Sequence, residues 1–413
     1  MKNFVLIIFL SPLIIYLFGC GNADTNQFSM LKQTCELTDK DQFSLVAQAK
    51  PISIIVPANS FPEFTHTQVY DNRFLYGYKE GANRIEIFDI ILQKHLKSIS
   101  IDQNFISNLG NFFVHKPDSI FFAKTQSSVV LINDNGKIIN QWNLESAPLG
   151  WVLPNEAKST SAPLTFFFTS GKSIVSYSPT NHCIYLNFAS PDLWYFKDRL
   201  TAKLCATYNI STRKWVATFG QMLGVYKQTI GYRYPFVLSL PQMCVLGDTS
   251  IVSFPLNHNV QIYNNKTGKL LSEACIGSRF LKQLPSPLNE EGDAQQERNF
   301  LVTSSYYGDI SFHKSVGLFS RVVVLPQDLK NSDGTLKRFY QKESSVILFD
   351  KNYKIVGEFK FDKAKGFLRA GSTHYVDNVI RLDDGFLGTR QSDLNKNDDT
   401  LAVSTHYKIV PIK

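Results

Sequence analysis

The most regular feature of the chain is a repeated exchange of short apolar runs and turn-forming residues. In five places an apolar or aromatic run leads into Asp or Asn: Ile85–Asp89, Val129–Asn133, Cys205–Asn209, Val260–Asn264 and Val346–Asp350. Each is followed by a polar turn, such as Asn135-Gly136 or Thr267-Gly268, whose residues accept the positive φ of tight hairpins. The pattern predicts five β-hairpins, and a weaker sixth at Leu401–Ile412 with Thr405-His406 near its turn.

Another strand precedes each hairpin and is again introduced by turn residues. The predicted segments are Phe74–Tyr78, Ile120–Lys124, Cys183–Phe188, Ile251–Phe254 and Val379–Leu382. Earlier segments such as Asn111–Val114 and Phe236–Leu240 supply a fourth strand. Units of four antiparallel strands, repeated six times, predict an all-β fold, a six-bladed β-propeller. We expect Phe43–Ala47 or Ile52–Val56 to complete the last blade, because a ring closed in this way has no exposed edge there.

The N-terminus has the pattern of a bacterial lipoprotein signal. Lys2 precedes an apolar stretch, Phe4–Phe18, that ends in Leu17-Phe18-Gly19-Cys20. The stretch is shorter than the roughly 20 residues of a membrane-spanning helix. We therefore predict a signal peptide at 1–19, a lipidated Cys20 with a flexible tether to residue 42, and a propeller at 43–413. Acyl chains on Cys20 would attach the protein to a lipid bilayer of the cell envelope, most simply the outer membrane, with the leaflet left open.

The lipoprotein signal and the Phe-Asp and Tyr-Asn hairpin turns resemble those of six-bladed propeller lipoproteins of Bacteroidota. More narrowly, the chain resembles a family of similar-length lipoproteins from that phylum with no assigned function. The resemblance implies the propeller fold from about Phe43 to Lys413. It carries no catalytic residue, because the shared motifs are structural.

The charge distribution and the cysteine spacing limit which ligands and which cysteine sites the chain is expected to have. The net charge is +8, but no run of five or six like charges occurs, which argues against nucleic-acid binding. The cysteines contain no C-x-x-C pair. Cys183 and Cys205 are predicted on neighbouring strands, so an exported protein leaves two alternatives open, a disulfide or buried free thiols.

Catalytic and metal-binding motifs are incomplete. Gly171-Lys172-Ser173 lacks the earlier glycine of a phosphate-binding loop, and Asp393–Asp399 lacks the glycine and the final glutamate of a calcium loop. The eight histidines are scattered, although several could still converge at a propeller axis. We predict no cofactor and no metal.

The enlarged loops lie on one side of the predicted disc. With the strands of a blade lettered a to d, the extra residues fall between b and c or between d and the next a, and both connections emerge on the same face. Long loops on a rigid scaffold commonly bind ligands. The candidate ligand-binding residues are Trp194, Tyr195, Arg199, Tyr232, Arg233, Arg338 and Arg390. The alternative is that the loop aromatics only pack into small cores of their own.

The leading functional hypothesis is a membrane-anchored, non-enzymatic binding module for a glycan, a peptide or an envelope protein. Two alternatives stay open: a hydrolase or lyase with its site at the ring axis, since propellers host such sites without a linear motif, and a structural scaffold in an envelope assembly.

Overall fold

The computed structural model describes most of the chain from residue 35 onward. The described residues are 35, 41–50, 52–55, 66–78, 84–102, 109–124, 128–144, 174–188, 202–224, 226, 232–281, 283–289, 293–337, 342–361, 380–389 and 401–412. The statements below concern these residues.

Six four-stranded antiparallel sheets form a six-bladed β-propeller, as the repeated pattern predicts. Two strands, β1 (Phe43–Ala47) and β2 (Ile52–Ile55), precede the first blade. Blade 1 contains β3 (His66–Tyr70), β4 (Phe74–Tyr78), β5 (Arg84–Asp89) and β6 (Lys94–Ser100); blade 2 contains β7 (Leu109–Lys116), β8 (Ser119–Lys124), β9 (Ser128–Ile132) and β10 (Ile138–Asn143). Blade 3 contains β11 (Ile174–Ser178), β12 (Cys183–Asn187), β13 (Cys205–Asn209) and β14 (Lys214–Phe219).

The described connections in the second half of the ring include two short strands and a helix. A short strand, β15 (Tyr232–Arg233), precedes blade 4, which contains β16 (Gln242–Leu246), β17 (Thr249–Ser253), β18 (Asn259–Asn264) and β19 (Leu270–Cys275). Then β20 (Leu288–Asn289) and the helix Ala294–Thr303 lead to blade 5, with β21 (Tyr306–His313), β22 (Leu318–Val324), β23 (Ser344–Phe349) and β24 (Ile355–Lys360). Blade 6 contains β25 (Ile380–Leu382), β26 (Gly385–Thr389) and β27 (Leu401–Pro411).

The first strand of each blade lies at the axis of the ring. In chain order these innermost strands contact one another, from β3 through β7, β11, β16 and β21 to β25, and β25 contacts β3 again. The ring is therefore closed at its centre, and the sheets extend outward from it.

The N-terminal strand closes the ring at its periphery, which confirms the predicted closure. Residues 43–47 of β1 pair antiparallel with 411–407 of β27 and supply the fourth strand of blade 6. The predicted sixth hairpin is wrong: Leu401–Pro411 is one continuous strand, and Thr405-His406 lies inside it, opposite Gly388 and Leu387. A second strand after His406 is unnecessary because β1 occupies that edge.

Two other strand predictions are wrong. Phe236–Ser239 is a 3₁₀-helix, and the innermost strand of blade 4 begins later, at Gln242. Ile380–Leu382 is the innermost strand of blade 6 instead of its second strand, because Gly385–Thr389 forms a further hairpin arm with it. Both errors come from turn spacing, which determines neither where the innermost strand begins nor how many strands precede a hairpin.

The outer strand of blades 1 to 5 carries a β-bulge at an equivalent place. The residues left unmatched by the pairing register are Leu96, Ile139, Val216, Leu271 and Val356. Bulges twist an edge strand and discourage pairing with another chain. The first four side chains are 38–54% exposed, whereas Val356 is 4% exposed and packs with Phe43 and Leu45 of the closing strand.

The cysteines match the second of the two alternatives, and one disulfide was not predicted. Cys183 and Cys205 are free and buried, as is Cys244, which answers the question left open above. The disulfide joins Cys35 to Cys275 instead. Because 240 residues separate the two thiols in sequence, no local pattern indicates the pairing.

Candidate functional site: the long-loop face

The two faces of the disc differ in how their connections are built. On the short-turn face, defined by the a–b and c–d turns, the Asp or Asn at the end of strand c closes the turn with its own side chain. Its Oδ1 accepts two backbone N–H bonds of 2.8–3.0 Å from the turn residues, in each case. These acceptors are Asp89, Asn133, Asn209, Asn264 and Asp350. The repeated residue in the sequence is thus explained by turn chemistry.

The long-loop face, defined by the b–c and d–a connections, carries a structured cap over blades 4 and 5. Two connections pair with each other through β15 and β20, with Tyr232 opposite Asn289 and Arg233 opposite Leu288. The helix Ala294–Thr303 follows, and its N-cap Asp293 accepts a 2.7 Å bond from Gln296 N. Such a cap at the first turn stabilises a helix by about 1 kcal/mol.

A cluster of aromatic side chains forms the core of this cap. Tyr226 contacts Tyr234 and Phe254 edge to face, and Tyr234 contacts Phe300 of the helix in the same way. Tyr226 is fully buried, and its hydroxyl donates to Leu238 O at 2.5 Å and accepts from Leu256 N at 3.1 Å. Burial raises the pKa of Tyr226 well above its ordinary value, so the hydroxyl keeps its proton. These loop aromatics therefore hold the cap together.

Lys342 fastens the helix of the cap to blade 5. Its Nζ donates to Leu301 O at 2.8 Å and to Ser304 O, both at the C-terminal end of the helix, where the dipole favours a cation. The same Nζ lies 4.7 Å from the centre of the Tyr306 ring. Burial lowers the pKa of Lys342 to about 7, so its protonation changes near neutral pH.

Arg321 of β22 joins blade 5 to blade 4 beneath the cap. It is fully buried, and its guanidinium donates to Ser253 Oγ and to the carbonyl oxygens of four residues, Phe254, Asn257, His258 and Ile276, at 2.6–3.2 Å. Its Cζ lies 3.5 Å from the centre of the Tyr307 ring. Burial lowers the pKa of Arg321 to about 10, which still leaves the group charged at neutral pH.

A polar chain continues from Tyr307 toward the rim. Ser278 N donates to the Tyr307 hydroxyl at 3.1 Å, and that hydroxyl lies 2.6 Å from His258 Nδ1. Burial, followed by the charge of Arg321, lowers the pKa of His258 to about 4. The imidazole is therefore neutral at pH 7, and its tautomer decides whether the phenol O–H or the Nδ1–H is the donor of this bond.

Glu358 forms the outer end of this chain. Ser278 Oγ and Ser345 Oγ donate to Oε1 at 2.5 and 2.8 Å, and Arg279 N donates to Oε2 at 2.7 Å. Burial raises the pKa of Glu358, and these three bonds oppose the rise. Each group from Arg321 to Glu358 has a partner that fits it, so the arrangement serves cohesion between the blades.

Most of the predicted site residues lie outside the described part of the chain: Cys20, Trp194, Tyr195, Arg199, Arg338 and Arg390. For Tyr232 and Arg233 the structure describes the backbone alone, and it places both on the long-loop face, in the ladder with Leu288–Asn289. The two are therefore brought together with the cap, and the grouping of the other five stays a prediction.

Arg321, Lys342 and Glu358 are not predicted by any sequence motif. For Arg321 a signal exists, because it is the one charged residue in the otherwise apolar or small strand Leu318–Val324. Among the described residues, no group of three or more His, Cys, Asp and Glu side chains could hold a metal ion. Within that same part of the chain, no helix is long and apolar enough to cross a membrane.

Comparison with known proteins is informative about the fold. No family model and no curated protein matches the chain. The crystal structure of a DUF4221 family member from Bacteroides vulgatus has a TM-score of 0.61 at 18% identity and covers 90% of this chain and 99% of its own. At that identity the likeness concerns the fold alone.

Two further structures are more distant. A protein from Bacteroides fragilis described as exported has a TM-score of 0.47 at 13% identity, with 90% of this chain and 97% of that one covered. BamB from Moraxella catarrhalis has a TM-score of 0.34 at 10% identity, with 90% and 83% covered. Both similarities are too weak to argue from.

Proposed function

We propose that the chain is a lipid-anchored propeller of the bacterial envelope that binds its partner, without catalysis, through the long-loop face. The lipoprotein signal ending at Cys20 supports the anchor and the envelope location. The outer membrane is the membrane we favour. The partner is a glycan, a peptide or an envelope protein.

One observation carries the proposal: the cap on the long-loop face is built as a firm platform. Its aromatic core, its β-ladder and its capped helix fix connections that would otherwise be free to move. On the opposite face, the described c–d turns are closed by their own Asp or Asn side chains and extend little beyond the sheets. A preorganised surface loses less entropy on binding than a mobile loop does.

The proposed ligand contacts are Trp194, Tyr195, Arg199, Tyr232, Arg233, Arg338 and Arg390. Tyr and Trp offer flat, amphipathic contact area, and Arg donates in pairs to carboxylate or sulfate groups. Tyr232 and Arg233 form β15, and its pairing with β20 fixes their backbone, which makes them the first pair to test.

The test compares two variants of the lipidated protein. Tyr232→Ala with Arg233→Ala should weaken binding to surface glycans, peptides or solubilised outer-membrane proteins about 30-fold, or roughly 2 kcal/mol, if the pair are central anchors. Lys137→Ala, an exposed residue on the short-turn face, is the matched control and should bind as the wild type does. The measurement is biolayer interferometry on the immobilised protein.

Equal binding by the double variant and the wild type would contradict the proposed surface. The anchor has its own test. Cys20→Ala should release the folded domain from membranes, and a variant that still sediments with membranes after a high-salt wash would exclude the lipid anchor.

A further inference from the structure

The N-terminal strap, defined as Cys35, Asp41 and Gln42, is attached to blades 4 and 5 before the chain enters blade 6 as β1. Its first attachment is covalent, at Cys275, the last residue of the outer strand of blade 4. Gly277 N also donates to Cys35 Sγ at 3.1 Å. A Cβ on Gly277 would come within 2.5 Å of that sulfur, so the close approach of Cys35 requires a glycine at this position.

The second attachment is to blade 5. Arg279 donates to both carboxylate oxygens of Asp41, at 2.8 and 3.2 Å, and Glu358 N donates to Asp41 Oδ1 at 3.2 Å. Gln42 N then donates to Val356 O at 2.7 Å. Since Val356 is the bulge residue of β24, the strap satisfies a carbonyl on the outer edge of blade 5.

The strap continues directly into the strand that closes the ring. Ile412 N donates to Gln42 O at 2.8 Å, and β1 begins at the next residue. The N-terminal end of β1 therefore lies beside the end of β27 to which it pairs, with Phe43 opposite Pro411. A pull on the N-terminal side of Phe43 would open this pair first and break the ladder one bond at a time.

The other thiols do not compete for Cys35. Cys183, Cys205 and Cys244 are buried, and burial raises the pKa of both Cys183 and Cys205. A buried, protonated thiol is a poor nucleophile in disulfide exchange. A periplasmic oxidoreductase with a disulfide of its own would accept the two electrons and two protons that Cys35 and Cys275 lose. Its disulfide is then reduced to a dithiol, while the three buried thiols of this protein stay reduced.

We propose that the Cys35–Cys275 disulfide is a mechanical clasp that transfers tension on the N-terminal tether to blade 4 and leaves the closing strand of blade 6 unloaded. The source of that tension rests on the proposed anchoring at Cys20. The clasp also keeps β1 close to β27, because residues 35 and 275 stay joined when the ladder opens. The clasp matters because, among the described strands, β1 alone covers residues 407–411 at the outer edge of β27, while β2 covers 401–404.

Hydrogen exchange tests the clasp in full-length protein carrying Cys20→Ala, which does not depend on anchoring. In the further variant Cys35→Ser with Cys275→Ser, amides of Phe43–Ala47 should exchange about tenfold faster or more, because the strand opens locally. Amides of Thr249–Ser253, inside blade 4, should be unchanged. Cys244→Ser, with the disulfide intact, is the control and should keep the slow exchange. Reducing the Cys35–Cys275 disulfide of the Cys20→Ala protein with a phosphine is a second way to open the clasp, and it should have the same effect on exchange.

Single-molecule stretching tests the path of the load. With handles at residue 22 and at the C-terminus, the Cys35→Ser, Cys275→Ser protein should show an early low-force release that the oxidised protein lacks. Equal exchange rates in the oxidised and reduced proteins, or the same early release in both, would overturn the clasp. If fractionation excludes the lipid anchor while both results hold, the clasp stands and its load has another source.

Discussion

The junction between blades 1 and 2 and the junction between blades 4 and 5 are held in different ways. At the first, Tyr78 contacts Phe112 and Phe122 edge to face, at 6.3 and 5.5 Å between ring centres, within a cluster of buried Ile and Val. The second has a comparable apolar cluster, but Arg321, Tyr307 and Glu358 are buried beside it. The first junction is thus mainly an apolar contact, with two hydrogen bonds between the Gln68 side chain and the main chain of Val114, whereas the second contains a buried polar network.

The difference shows what each kind of contact requires. Apolar packing depends on area and volume, so a side chain of similar size replaces another at modest cost. The network around Arg321 uses all five N–H groups of the guanidinium, and its acceptors are mostly main-chain carbonyls fixed by the fold. Removing the donor leaves several buried acceptors without a partner, which costs more than the lost contact area.

The largest effect is expected at the polar junction. Arg321→Met keeps much of the side-chain volume but removes every donor, and it should lower the free energy of unfolding by about 4 kcal/mol. Arg298→Met, at an exposed position of the cap helix, is the control and should change stability by less than about 0.5 kcal/mol. Urea denaturation measures both. A loss below about 1 kcal/mol at Arg321 would show that water replaces the guanidinium and would remove the distinction between the junctions.

A smaller effect is expected at the apolar junction. Phe122→Leu stays apolar in a fully buried site and should cost about 1.5 kcal/mol in the same assay, since neighbouring rings lose contact but no polar group loses its partner. Tyr78→Phe, which retains the ring, is a useful companion variant. A cost at Phe122 equal to that at Arg321 would mean that packing alone governs both junctions.

The smallest effect concerns pH and the cap fastened to blade 5. The pKa of Lys342 is about 7 in the folded protein and 10.5 when exposed, so between these values the unfolded chain binds a proton that the folded protein releases. The stability that the neutral amine contributes is fully present above pH 10.5 and is lost as the pH falls through 7. Relative to Lys342→Met, the wild type should gain about 1 kcal/mol from pH 7 to pH 8.

The difference in unfolding free energy between wild type and Lys342→Met removes the contribution of other groups that titrate in that pH range. Thermal or urea denaturation at pH 7.0, 7.5 and 8.0 measures the difference. Parallel pH profiles of the two proteins would mean that the buried amine holds its proton, and that Lys342 does not titrate near neutral pH.

The five Asp or Asn turns made most of the fold predictable. Each turn is a local event, in which one side chain accepts from amides two to four residues away, so its signal stands in the sequence itself. The hairpin prediction that failed, at Leu401–Ile412, concerns a strand whose partner is distant in sequence. Leu401–Pro411 pairs with a segment from the other end of the chain, and its own sequence does not reveal that a hairpin is unnecessary.

Of the candidate site, only the face of the disc on which it lies was predictable from the sequence. The spacing of strands b, c and d indicated which face carries the long connections, and the structure places Tyr232 and Arg233 there. The packing of Tyr226 and Tyr234 into a core, however, depends on Phe254 and Phe300 from other segments. A sequence does not separate a loop aromatic that binds a ligand from one that packs against a neighbouring loop.

The sequence by itself determined the class of fold, the number of blades, the tight turns and the expectation of an N-terminal closing strand, because hydrophobic alternation and turn chemistry act over a few residues. The tertiary structure alone decided that Cys35 pairs with Cys275, that Arg321 is satisfied by carbonyls of the next blade, and that Lys342 caps a helix 40 residues earlier in the chain. These contacts join segments that are far apart in sequence, and only the packing of neighbouring blades, the cap and the N-terminal segment brings their atoms within bonding distance.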